Sequence, residues 1–174
     1  MSLRSFLAAA LSGLLLVLPT PAAAQPTDKA VKAAFLPRFF RYATWPPGAM
    51  PRGSDPFVLC VIGDDPFGGL LDDAARSQSI DGRRIAVRRS ASADGCQVAF
   101  VAGGRGSSPA QIIDAIGHKP VLTVTDDAHG HRRGVIHFTI VGGRVRFFID
   151  QAAASQRGIQ LSSRLLALAL GVRQ

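Results

Sequence analysis

Apolar side chains in this chain follow two rhythms, and the change from one to the other marks out the elements. Val31, Phe35, Phe39 and Tyr42 recur at the spacing of one helix face, and Leu36 and Phe40 widen that stripe. They predict a helix over 29–44, capped by Asp28, kinked or restarted at Pro37, and stopped by Trp45-Pro46-Pro47-Gly48. Short unbroken apolar runs bounded by turn residues at 56–62, 96–102 and 120–124 predict buried strands. Residues 84–89 alternate as an exposed strand. Helices are expected through about Ser77 after the turn at 63–66, and over 109–116 with Ser107 or Ser108 as cap. Segments 135–141 and 144–149 flank Gly142-Gly143, a hairpin signal. A final helix is expected over 151–172, broken near Gly158. Strands alternating with helices predict a single-domain α/β open sheet, parallel at its centre, with a C-terminal antiparallel hairpin and helices on both faces.

Residues 1–24 follow another pattern. Arg4 precedes an apolar run over 6–18, then Pro19, Pro21 and Ala22-Ala23-Ala24 before Gln25. This is the order of a secretory signal peptide. The run falls short of the roughly 20 residues of a membrane span, the property an uncleaved anchor would need. Export to a Gram-negative periplasm is expected, with cleavage near Ala24 and a domain over 25–174.

Composition narrows the function classes. Hydrophobic residues make up 47% and charged residues 18%, a balance that favours a packed core over disorder. All 12 acidic residues are Asp, against 20 Lys and Arg, giving a net charge of +8. Such a surface suits an acidic partner or an anionic membrane face. In an exported protein it does not point to nucleic acid.

Two cysteines in an exported chain favour one disulfide, Cys60 to Cys96, on adjacent strands; two buried thiols are the alternative. Their spacing is not that of a redox C-x-x-C site. The stretch Gly63-Asp64-Asp65-Pro66-Phe67-Gly68-Gly69 stands where open sheets bind ligands, but its two carboxylates oppose phosphate, and a turn with a helix cap is the simpler role. His129 and His131 beside Asp126-Asp127 offer metal-ligand chemistry without a fixed third ligand; a solvated loop is the favoured explanation. Ser162-Ser163-Arg164 lacks a spaced base or oxyanion hole. No catalytic residues, cofactor or metal site are therefore expected. Arg38 and Arg41 flank an aromatic cluster that includes Trp45, a composition enriched at protein interfaces, and these three are the candidate partner-binding residues.

Several stretches in order carry a family resemblance: Val31-Lys32-Ala33-Ala34-Phe35-Leu36 with Trp45-Pro46; Val58-Leu59-Cys60-Val61-Ile62-Gly63-Asp64-Asp65-Pro66; Gly82-Arg83-Arg84-Ile85; Cys96-Gln97-Val98-Ala99-Phe100-Val101; Pro120-Val121-Leu122-Thr123-Val124; and Gly143-Arg144-Val145-Arg146-Phe147 followed by Leu161-Ser162-Ser163-Arg164-Leu165-Leu166. Together they resemble the YfiR family of periplasmic proteins over nearly all of the exported domain. The resemblance implies regulation without enzymatic activity. Its namesake represses an inner-membrane diguanylate cyclase through the cyclase's periplasmic region, lowering cyclic-di-GMP and biofilm output, and an outer-membrane lipoprotein can sequester it. Other members stand beside sensor kinases. A cyclase or sensor kinase, a sequestering lipoprotein and a homodimeric second copy are the partners implied. Pro37, Asp150 and the lack of a second cysteine pair depart from the family pattern. A periplasmic small-ligand sensor, using the crevice near 63–69 and 103–108, is the alternative function, and a metal-dependent hydrolase at the His129 loop a third.

Overall fold

The computed structural model describes residues 26–130 and 133–174, so the expected signal segment lies outside the described residues. Chain order is α1 (Asp28–Phe35), β1 (Ala43–Thr44), β2 (Phe57–Gly63), α2 (Gly69–Arg76), β3 (Ser79–Ile80), β4 (Arg83–Ser90), β5 (Val98–Gly103), α3 (Pro109–Ile116), β6 (Leu122–Asp126), β7 (Ile136–Val141), β8 (Arg144–Asp150), α4 (Gln151–Gln156), β9 (Gln160–Leu161), α5 (Ser163–Leu168) and β10 (Gly171–Arg173). Eight strands form one sheet in the order β10-β8-β7-β6-β5-β2-β4-β3. The run from β4 to β7 is parallel, while β7–β8 and β3–β4 are antiparallel. Strands β1 and β9 form a separate antiparallel pair.

Alternation along the strands divides the core. Leu59, Val61, Phe100, Leu122, Val124, Ile136 and Phe138 point to one face, where α1, α2 and the aromatic residues of 35–45 pack. Cys60, Ile62, Ala99 and Val101 point to the other, under Ile112, Ile113 and Ile116 of α3. Helices thus cover both faces. Ser108 caps α3 with a reciprocal bond from Gln111, which satisfies two otherwise orphaned donors. No helix among the described residues is long and apolar enough to cross a membrane.

Two predicted helices take other forms. The first is α-helical only to Phe35, with Thr27 rather than Asp28 as its cap, and then tightens into a 3-10 helix over Leu36–Arg41. Pro37, at the second position of that tighter helix, has no N–H to continue the α-helical ladder. The expected helix over 151–172 is instead α4, β9, α5 and β10. Gly158, at φ 69°, turns the chain after α4, and Ser162 caps α5 by accepting from Leu165 N at 3.3 Å. The last residues then add to the sheet beside β8, with Val172 opposite Ile149.

Candidate functional site

The candidate contact residues separate on folding. Arg38 and Arg41 are exposed on the 3-10 helix, with Arg41 Nη2 donating to Ser79 O at 3.4 Å. Trp45 is a correction: only 4% of it is exposed. Its ring lies 5.5 Å from that of Phe40, and its indole N–H donates to Gln97 O at 3.1 Å. A buried indole needs such an acceptor. Gln97 continues the join, accepting from Val58 N at 2.8 Å and donating to Ala49 O at 2.9 Å. Trp45 therefore fastens the N-terminal segment to the sheet.

Cys60 and Cys96 form a disulfide with Cα atoms 5.9 Å apart. Cys60 lies within β2. Cys96 stands two residues before β5 rather than within it, in the turn that follows β4. The bridge lies on the α3 face, where both residues are buried.

The stretch 63–69 uses its acids internally. Asp65 accepts from Phe67 N at 2.8 Å and from Arg89 Nε at 2.9 Å, and Arg89 also holds Asp72 at 2.7 Å. These bonds keep the Asp72 carboxyl below its ordinary pKa, the Arg89 hydrogen bond being the main cause. The crevice expected between this stretch and 103–108 is narrow. Asp64 N donates to Gly103 O at 2.7 Å, and a side chain at Gly63 would stand 2.0 Å from that same oxygen.

Sequence reasoning missed two polar clusters. In the first, Lys32 Nζ lies 2.7 Å from Asp126 Oδ2, and His129 Nδ1 contacts the other carboxylate oxygen. Burial alone raises the Asp126 carboxyl, but the Lys32 and His129 bonds outweigh it and hold the pKa below its ordinary value. His129 is thus engaged by Asp126, while His131 lies outside the described residues. The second cluster centres on His137, which the sequence presents without a partner. Gly134 N donates to Thr125 Oγ1 at 2.8 Å, Thr125 Oγ1 lies 2.8 Å from His137 Nδ1, and His137 Nε2 lies 2.8 Å from Asp127 Oδ1. Both ring nitrogens of His137 thus have a polar partner. Ser162 is a helix cap, and Arg164 is exposed.

A large concavity lies elsewhere, on the α3 face. Thr123, His137 and Phe148 form its floor, at positions alternate to the core residues Leu122, Ile136 and Phe147. Ile113 and Gly117 of α3 line one wall; Ala153, Gln156 and Arg157 of α4 line another, with Val172 and Arg173 at the sheet edge. Its volume is about 1060 Å³.

Residues 29–170, from α1 to the approach to β10, match the model of one family. The chain belongs to the YfiR/HmsC-like family. This is a family of regulators rather than catalysts, and its members are periplasmic. A search of curated proteins finds no match. The match spans the disulfide, the Lys32–Asp126 join and both faces of the sheet.

Proposed function

We propose that this YfiR-like protein is a periplasmic repressor that binds the extracytoplasmic domain of an inner-membrane signalling protein, in the first instance a diguanylate cyclase. The family match over 29–170 carries this reading. Residues 1–24 would direct export and be removed near Ala24. A disulfide-closed domain of a regulator family suits binding rather than turnover. A sensor kinase in place of the cyclase, and a lipoprotein that sequesters the repressor, belong to the same scheme.

Deleting the gene is expected to raise cyclic-di-GMP and surface attachment, and the exported form should reverse both. A form retained in the cytoplasm should not. Unchanged cyclic-di-GMP in the deletion strain rejects the cyclase assignment; failure to recover any inner-membrane signalling protein by crosslinking rejects the repressor reading as a whole.

Arg38 and Arg41 are the proposed contact residues, being exposed cations on a segment whose aromatic side chains are committed to the core. The Arg38→Asp, Arg41→Asp double variant is expected to weaken partner binding at least tenfold while leaving the unfolding midpoint near that of the parent, because exposed side chains contribute little to the monomer. Binding at parental affinity would move the contact to another face.

A further inference from the structure

The groove over β6, β7, β8 and β10 is a separate feature from the proposed contact residues, and its volume of about 1060 Å³ is on the scale of roughly 300–1,000 Å³ typical of small-molecule sites. One of its wall residues is incompletely satisfied. Arg157 follows α4 and folds back so that Nη1 donates to Ala153 O at 2.9 Å. Its Nε is buried and has no hydrogen-bond partner among the described residues. The nearest acid in the sequence, Asp150, is already engaged: one oxygen accepts from Ala153 N at 2.9 Å, and the other holds Arg173. Burial works against the Arg157 charge, and Asp150 offsets this only through space. A half-buried guanidinium short of acceptors is costly, and Arg157 lines the groove wall, where an anion can pair with its charge.

The rest of the groove sets the shape of such an anion. Arg133 lies 4.5 Å over the Phe148 ring and keeps a second guanidinium at the rim. Phe148, Ile113 and Val172 supply apolar surface, and the carboxylates Asp114 and Asp150 also line the groove. An inorganic ion would leave that surface wet. A guanidinium fork matches carboxylate and phosphate oxygens in paired geometry.

We propose that this groove binds a small organic anion, a carboxylate or phosphate ester on an apolar body, with Arg157 taking the anionic group and the Phe148 floor taking the body. The site is independent of the repressor reading, since occupancy is measured on the isolated protein. It also differs in place from the narrow crevice at 63–69.

The test is titration of the purified protein with phenyl phosphate and phenylacetate, followed by calorimetry and by amide shifts. Saturable binding is expected, with the shifts centred on Gly134, Phe148 and Val172. Inorganic phosphate and benzyl alcohol, each carrying half of the required chemistry, are expected to bind at least tenfold more weakly. Arg157→Gln should lose at least tenfold in affinity and Arg157→Lys clearly less. Arg133→Gln, altering an exposed side chain, supplies a variant that keeps the fold and is expected to weaken binding about threefold. No saturable binding by either aromatic anion overturns the proposal. So does equal affinity for the uncharged alcohol, or parental affinity in folded Arg157→Gln or Arg133→Gln. Loss of cyclase repression plays no part in this readout, so failure here and failure of the repressor reading remain distinguishable.

Discussion

Replacing Lys32 with Met is expected to destabilise the folded protein by about 3–5 kcal/mol, because it strands the Asp126 carboxylate in the interior. Asp126 is 3% exposed and Lys32 9%. Removing one partner leaves an uncompensated charge, whereas removing both costs far less. The double replacement Lys32→Met, Asp126→Leu should therefore recover most of the loss. Denaturant unfolding of the two variants and the parent reads this directly; a single Lys32→Met variant within about 1 kcal/mol of the parent would show that the pair is not energetically coupled. Acid unfolding gives a second reading. The folded-state pKa of Asp126 lies below its ordinary 3.8. Its contribution is thus fully present above the unfolded value and is lost as pH falls through the folded one. An Asp126→Asn variant should lose part of that acid limb, with stability less dependent on pH below about 4.

Opening the Cys60–Cys96 disulfide should cost nearly as much. The bridge closes a loop across a sequence separation of 36. Chain entropy alone then assigns it about 4 kcal/mol, acting mainly on the unfolded state. Both cysteines are buried beneath α3, so a Cys96→Ala replacement also removes packing. The expected result is a Cys60→Ala, Cys96→Ala protein that unfolds at about 10 °C lower temperature than the oxidised parent, with no free thiol detected in the unfolded, unreduced parent. Detection of two thiols, or an unchanged midpoint in the double variant, would remove the disulfide from the account of stability.

The parts of the fold that were legible from sequence are those decided by local pattern. Apolar runs around Leu59, Phe100 and Leu122 are strands because both faces of a parallel sheet are buried, and no other short element needs unbroken hydrophobicity. Ser108 and Gly142-Gly143 announce their cap and turn in the same local way. The C-terminal stretch misleads because Leu161, Leu165, Leu166 and Leu168 satisfy helix spacing while the segment is divided by Gly158 and by pairing with distant strands. Strand β10 exists only because β8 offers it an edge, which no local pattern records. The same limit explains the sites. Lys32 and Asp126 are 94 residues apart in sequence, and the groove is assembled from α3, β6, β7, β8, α4 and β10. Aromatic and Arg enrichment around Trp45 reads as an interface because cores and interfaces draw on the same aromatic residues; burial separates Trp45 from Arg38 and Arg41 only once the chain is folded.

The aromatic contacts of the first segment also set an order of assembly. Phe35 and Phe39 pack against Phe138 and Phe147 at centroid separations of 5.9–6.1 Å, and Ala43 pairs with Leu161. These partners are synthesised about a hundred residues later, so the contact order of this segment is high. A chain emerging N-terminus first therefore presents Phe35 and Phe39 to solvent until β7 and β8 have followed. During that interval the segment is an adhesive surface for other unfinished chains. Periplasmic yield should depend on holding chaperones more steeply than the stability of the finished protein would suggest, and truncation before β8 should produce aggregation rather than a smaller folded unit.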